Sequence, residues 1–435
     1  MVLSKYTIFS KIKNSESYFV LNLLSGQADI LEPAMGLALE QGIIPDRDAF
    51  IEKGYLADPV EEGKIFTKKR LEFIDNRESD EIQIFFVPWY ACNFACTYCF
   101  QSEYETSESR LTVEVIDAFF NAIKRQFEGR KFYVTLFGGE PLLPSSYARS
   151  MIEHFLKKAK ENDVPIAIVT NGFTLETYLP ILSPESIREI QVTLDGTQVI
   201  HDYRRPLKGS SESTFNTIVS GIDAALAKKL SVNFRVVIDK DNIDNLPELA
   251  QFAIDRGWTD DPNFKTQLGR NYELHHCSAK PDRLFSRIAM YEKIYALIKQ
   301  YPHILMFHKP AFSISKFLWE NGSLPDPLFD ACPGCKTEWA LDYTGNIYSC
   351  TATVGKSDEV IGSFYPEITL DDEKVAEWRE RDITTIEACR TCNVNLACGG
   401  GCAAVAKNSG GSVLSPDCRP IKGLLELGLS HYFES

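Results

Sequence analysis

The chain has 435 residues, 44% hydrophobic and 24% charged, which excludes a disordered, collagenous or coiled-coil polymer and predicts two to three compact domains. Lys and Arg number 46 against 60 Asp and Glu, a net charge of −14 with no long basic run, so no nucleic-acid partner is expected. The N-terminus lacks the apolar core of a signal peptide and no stretch reaches the roughly 18 apolar residues of a membrane span, so a cytoplasmic protein with no membrane partner is expected. In that setting the 12 cysteines read as metal ligands or catalysts rather than as disulfides.

In chain order, residues 6–31 alternate apolar and polar side chains in two runs around Asn14, Ser15 and Glu16, which predicts a hairpin. Helical spacing over 33–42 and around Phe50, Ile51, Tyr55 and Leu56 lays short helices on it. The polar run Asp75 to Asp80 reads as a linker that closes a cysteine-free first domain, residues 1–80. Strands are then expected at 82–87, 131–137, 166–170, 189–194, 231–238 and 263–268. They alternate with helices at 113–128, 146–161, 214–229, 245–256 and 283–300. Six such units are too few for a closed eight-unit barrel, so an α/β domain with a partial (β/α)6 barrel is expected over 81–310. Beyond about 325 Gly, Pro and Cys dominate, and the last domain, 311–435, should draw part of its folding energy from bound metal.

Cys92, Cys96 and Cys99 form C-x-x-x-C-x-x-C directly after the apolar strand IQIFFV, at the strand end where β/α folds keep their chemistry. Three thiolates on one loop can hold three irons of a cubane cluster and leave the fourth open, whereas a structural zinc site would be closed. This spacing, with Tyr98 and Phe100 flanking Cys99, resembles the signature of radical S-adenosylmethionine (SAM) enzymes. The resemblance implies an open iron that binds the amino and carboxylate groups of SAM and a cleavage that yields a hydrogen-abstracting 5′-deoxyadenosyl radical.

After the next strand, Gly138-Gly139-Glu140-Pro141 is similar to the family's GGEP motif, which would meet the cofactor's amino group. Asn171 in Thr170-Asn171-Gly172, and Thr193 and Asp195 in Thr193-Leu194-Asp195-Gly196, lie at later strand ends. Arg205 follows in HDYRRP. By resemblance these residues contact the cofactor or place the peptide. Arg235 stands equally as a cofactor contact or as a barrel salt-bridge residue. No catalytic acid or base is identified.

Cys335 and Cys350 enclose a segment with Gly345 at a hairpin turn, and Cys389, Cys392, Cys398 and Cys402 read C-x2-C-x5-C-x3-C before Cys418. This resembles the seven-cysteine SPASM domain, an iron-sulfur module that carries two auxiliary [4Fe-4S] clusters in radical enzymes acting on peptides and proteins. A zinc ribbon is the alternative. By resemblance the first auxiliary cluster uses Cys335, Cys350 and Cys402, with Cys332 either completing it or leaving an open iron. The second uses Cys389, Cys392, Cys398 and Cys418. Cys277 reads as a buried thiol and the neighbouring His275 and His276 as loop residues.

The N-terminal module is similar to the winged-helix-like, PqqD-like recognition element of peptide maturases. It would bind a leader peptide as an added strand, the alternative being a module that only packs on the barrel. Together these resemblances imply a radical SAM-SPASM peptide maturase that holds SAM and three [4Fe-4S] clusters. Its partners would be a precursor peptide with a leader and an external electron donor such as flavodoxin or ferredoxin. The product would be a cross-link, first a thioether and next a carbon-carbon bond. A sulfatase-maturating, formylglycine-generating enzyme and a non-catalytic metal scaffold are the alternatives.

Overall fold

The computed structural model describes residues 1–103, 110–271 and 281–433. At the N-terminus β1 (Val2–Leu3) pairs with β5 (Leu56–Ala57), and β2 (Thr7–Lys11), β3 (Tyr18–Asn22) and β4 (Ala28–Leu31) form an antiparallel sheet in that order. The predicted turn at Asn14 uses a left-handed residue, φ 62°, a conformation Asn tolerates. Helix Pro33–Glu40 follows as the spacing predicts, whereas the second helix, Arg47–Glu52, holds Phe50 and Ile51 but ends before Tyr55 and Leu56, and Leu56 pairs instead in β5.

The polar run 75–80 is a correction. It is the end of a 21-residue helix, Pro59–Ser79, rather than a linker. Asp58 caps that helix through the Val60 N–H and Pro59 occupies its first turn, where a missing N–H costs nothing. No side chain on it is fully buried, yet Phe66 and Phe73 pack on Phe329, Arg70 pairs with Asp382 (2.6 Å) and Arg77 with Asp330 (3.3 Å), so tertiary contacts hold what propensity leaves open.

Strands β6 (Ile82–Val87), β7 (Phe132–Leu136), β8 (Ile166–Thr170), β9 (Ile187–Thr193), β10 (Val232–Ile238) and β11 (Phe264–Arg270) are parallel and lie in chain order. Helices such as Val113–Gln126 and Ser146–Glu161 turn one apolar stripe to them. Phe86, Phe119 and Phe155 meet there with ring centroids 4.5 to 5.7 Å apart. Burying each such ring is worth roughly 1.5–3 kcal/mol.

The rest of the sheet comes from the far end of the chain. β12 (Glu338–Asp342) adds a parallel strand beside β6, with Glu338 opposite Gln83 and Asp342 opposite Val87. An antiparallel meander of β13 (Asn346–Tyr348), β14 (Val360–Ser363) and β15 (Thr369–Leu370) completes ten strands. The hairpin turn predicted at Gly345 joins β12 to β13 with φ 93°.

The turn of the N-terminal hairpin reaches the helix Arg287–Gln300, where Asn14 Nδ2 donates to the Tyr295 hydroxyl (3.3 Å) and Lys13 pairs with Glu292 (3.2 Å), while the sheet's apolar face packs against the C-terminal region. Ile8, Phe19, Leu21 and Leu23 of the sheet share one core with Phe329, Ile386, Cys389, Cys398 and Leu425 of the C-terminal region. Among the described residues no helix is long and apolar enough to cross a membrane.

Candidate active site and cysteine groups

The loop that carries Cys92, Cys96 and Cys99 leaves β6 at its carboxyl end and has no regular structure of its own, so its shape is imposed by neighbours. From one side, residues 204–208 run against it. The Ala95 N–H donates to Pro206 O (2.9 Å), the Thr97 N–H to Arg204 O (2.9 Å) and the Lys208 N–H to Asn93 O (2.8 Å). From the other side, the Glu140 N–H donates to Ala91 O (2.9 Å). Gly139 lies so close that a Cβ would stand 2.1 Å from Ala91 O, which no side chain but hydrogen can accommodate.

Glu140 is fully buried and ties three strand ends together. Its carboxylate accepts from Thr170 Oγ1 (2.6 Å), the Asn171 N–H (2.6 Å) and the Leu142 N–H (2.9 Å), while burial raises its pKa. Pro141 follows it into the interior. Asn171 reaches on to the cysteine loop, donating to Asn93 Oδ1 (2.7 Å).

Tyr98 also turns inward. Its hydroxyl donates to Asp195 (2.5 Å) and accepts from Arg205 Nη1 (2.7 Å), and the Arg204 guanidinium lies over its ring at 4.9 Å. Arg204, fully buried, bridges Asp195 (3.3 Å) and Asp239 (2.6 Å). Two arginines thus meet two aspartates beneath the loop. Phe100 packs on Leu284. Thr193 ends β9, buried and opposite Arg235 in the register.

Burial lifts the Cys92 thiol to about 11 and the Cys96 thiol to about 12. The charges of their loop mates push both further up and that of Arg205 pulls both down. Arg205 Nε and Asn93 Nδ2, both beside this loop, are buried N–H groups with no acceptor in the structure. Three thiols within reach of each other's charge, next to orphaned donors, suit an iron-sulfur cluster with an anionic ligand on its open iron.

The C-terminal thiols fall into two groups. Burial, and after it the charges of Cys398, Cys392 and Cys418, push Cys389 up to about 11. Cys350 is raised well above its ordinary value by burial and then by Glu338, Cys332 and Cys402, and Cys335 to about 12 by burial with Cys332 adding to it. Cys332 therefore stands with Cys335, Cys350 and Cys402. Cys335 itself holds a left-handed backbone, φ 59°. Among the described residues no three His, Cys, Asp or Glu side chains are placed to hold a single metal ion. The thiols are grouped at the range over which charge is felt, as a cluster with one thiolate per iron requires.

Gly399, Gly400 and Gly401 separate these groups. All three have positive φ, and a Cβ would stand 2.6 Å from Ala331 N at Gly399 and 2.1 Å from Asp417 O at Gly401. The run lets the chain pass between Cys332 and Cys418, sending Cys398 to one group and Cys402 to the other. The sequence reading passed over this signal, although CGGGC is plain in it. It also passed over Arg204, Asp239 and Asn93, which have no motif of their own.

Among the described residues the Arg235 side chain makes no salt bridge or hydrogen bond. It opens into a cavity of about 430 Å³ enclosed by the inward faces of β6 to β11, with Thr351 at one wall. Cys277, His275 and His276 lie outside the described residues.

Residues 86–253 match the Radical SAM superfamily, so the barrel is a radical SAM domain. That superfamily binds SAM and a [4Fe-4S] cluster, and the relatives that share the domain are named as enzymes, which leaves the non-catalytic scaffold without support. A GTP 3′,8-cyclase of Campylobacter jejuni is 31% identical over 169 residues, 37% of this chain and 49% of that protein. The chain thus spans about half the length of the first curated relatives it matches. Mycofactocin maturase MftC of Mycolicibacterium smegmatis is 23% identical over 340 residues, 77% of this chain and 81% of the relative.

Among solved structures, anSMEcpe with bound AdoMet superposes with a TM-score of 0.64 at 17% identity, covering 82% of this chain and 95% of its own. Streptococcus suis SuiB bound to precursor peptide SuiA does so with 0.54 at 14% identity, covering 94% and 96%.

Proposed function

We propose that the protein is a radical SAM maturase of a ribosomally made peptide. The observation that carries this reading is the N-terminal sheet. β4 is an edge strand whose outer side pairs with no other strand among the described residues, and the same sheet shares its core with the cysteine-rich C-terminal region. An extended leader peptide can add to such an edge, as in PqqD-like elements, which leaves the peptide's downstream part beside the barrel. The likeness to SuiB, which extends over this module, and the length of the match to MftC support it.

Bound SAM and its cluster supply a 5′-deoxyadenosyl radical that takes a hydrogen atom from the substrate. Cys92, Cys96 and Cys99 would hold that cluster. Gly138, Gly139, Glu140, Pro141 and Asn171 would shape the cofactor's bed with Thr193, and Asp195 and Arg205 would fix the loop through Tyr98. Cys332, Cys335, Cys350 and Cys402 would hold one auxiliary cluster and Cys389, Cys392, Cys398 and Cys418 the other. The SPASM identity of this region, the external electron donor of the flavodoxin or ferredoxin kind, and a thioether ahead of a carbon-carbon bond belong to the same proposal.

The test is anaerobic incubation of reconstituted enzyme with SAM, dithionite and synthetic peptides translated from short reading frames beside the gene. A maturase gives 5′-deoxyadenosine and a peptide lighter by two hydrogens. The second reading, formylglycine formation, is favoured by the 0.64 TM-score to anSMEcpe. An aldehyde on a sulfatase-derived peptide, with no cross-linked product, would establish it instead.

A further inference from the structure

The cavity inside the barrel holds one charge that its own walls do not answer. In the register of β9, β10 and β11, Gln191 lies opposite Asn233 and Asn233 opposite Lys265, and one step toward the carboxyl ends Thr193, Arg235 and Gln267 form the next row. Glu189 accepts from Asn233 Nδ2 (2.8 Å) and pairs with Lys265, and Arg188 pairs with Glu81 (2.6 Å), so those charges cancel. Glu338, behind Thr351, accepts from the Thr351 N–H (3.2 Å) and makes no ion pair among the described residues. Arg235 has no ion-pair or hydrogen-bond partner among the described residues. Gly269 on β11 leaves room beside its guanidinium, since a Cβ there would stand 3.4 Å from Nη2. A half-buried guanidinium without a counter-ion is a cost that a carboxylate relieves, and its fork fits one bidentately.

We infer that Arg235, between Thr193 and Gln267 in the register, anchors a carboxylate of the substrate peptide inside the barrel, either its C-terminus or an Asp or Glu side chain. The cofactor's own carboxylate is the competing occupant. Thr193 of the proposed cofactor bed stands beside Arg235 in the register, but none of Cys92, Cys96, Cys99, Gly139, Glu140 or Asn171 lines this cavity, whereas Thr351, next to Cys350, does. The inference deepens the maturase reading and rests on it.

The experiment uses the reconstituted full-length holoenzyme and equilibrium dialysis with three labelled probes. These are N-acetylglycylglycine, N-acetyl-aspartic acid α-amide, and the carboxylate-free N-acetylglycylglycinamide. The wild type should hold at least one carboxylate probe about tenfold better than the amide, as a charge-assisted bidentate bond requires. The better of the two names the source of the carboxylate. Arg235→Gln should reduce that preference to nothing and Arg235→Lys should keep part of it, while SAM affinity stays within about twofold in both. No preference in the wild type, an undiminished preference in Arg235→Gln, or a parallel loss of SAM affinity would each overturn the assignment. Uncoupled SAM cleavage by the wild type, measured without peptide, reports separately on the radical chemistry. Its failure beside an intact Arg235-dependent preference would sink the maturase reading and not the anchor.

Discussion

Cys92, Cys96 and Cys99 sit half-buried on one loop that takes its rigidity from distant backbone, whereas five of the eight C-terminal cysteines are buried within the hydrophobic cores themselves. Cys332, Cys335 and Cys350 belong to the barrel's core, and Cys389 and Cys398 to the one shared with the N-terminal sheet. If both sets of thiols hold the clusters proposed for them, the difference teaches which metal the fold can do without. A loop pinned by main-chain bonds keeps its shape whatever its thiols hold, and can exchange a ligand. Thiols that are part of a core couple metal to folding.

Replacing Cys92, Cys96 and Cys99 together by alanine should therefore abolish SAM cleavage and lower iron from about 12 to about 8 per chain, with the melting temperature almost unchanged. Iron analysis and calorimetry on the same sample check it. Cys389→Ala should do the reverse in kind. Four further irons are lost, and the missing ligand and core contact cost on the order of 3 kcal/mol. That is a drop in Tm of roughly 6–12 °C for a unit of this size. If both variants melted alike, the contrast between loop and core would be wrong.

A smaller effect sharpens the loop side of the comparison. Gly139→Ala drives a methyl group into Ala91 O and must displace the cysteine loop, so SAM affinity should fall at least about tenfold while both C-terminal groups keep their iron. Gly63→Ala is the control. It lies on the helix Pro59–Ser79 with nothing within 4 Å of the added carbon, and should be neutral or gain about 0.5–1 kcal/mol.

Much of this was legible in the sequence, for reasons that differ by region. Ile82–Val87 and Ile166–Thr170 fall on the predicted residues because a buried parallel strand is a short apolar run with no other local solution. The cysteine spacings marked the C-terminal region as cysteine-rich, but the assignment of Cys398 and Cys402 to different groups came from the family resemblance and not from their spacing, which puts them only four residues apart. What was hidden is long-range. Nothing near Glu338 announces that β12 will join β6, roughly 250 residues earlier in the chain. Nor does Tyr90, whose hydroxyl donates to Asp342 alongside that of Tyr348, show that a single carboxylate connects the strand end before Cys92 to the strand before Cys350. Nor does the sequence of HDYRRP show that the backbone of this segment clamps the cysteine loop. The helix Pro59–Ser79 buries no side chain fully, so periodicity was silent, and its place comes from Phe66 and Phe73 packing on Phe329 together with the ion pairs to Asp330 and Asp382.

The smallest effect is a pH dependence that belongs to the barrel side. His308 is held neutral by burial, and by the nearby Lys316 charge, which lower its pKa from 6.5 to about 4, and Thr266 Oγ1 lies 3.0 Å from its Nδ1. The unfolded chain takes up a proton near 6.5 and the folded chain does not until about 4, so the unfolded state binds more protons throughout that window. Stability from this residue is complete above about pH 6.5 and declines as pH falls, by on the order of 2 kcal/mol at pH 5. His201, buried beside Asp195 with its pKa lowered to about 3, adds a loss of the same sign. Urea unfolding at pH 7 and pH 5 should show the decline in the wild type and a loss smaller by about 2 kcal/mol in His308→Gln. An equal loss in the variant would move the acid sensitivity away from β11 and toward the C-terminal cores, reversing the contrast between a loop that tolerates an empty site and cores that do not.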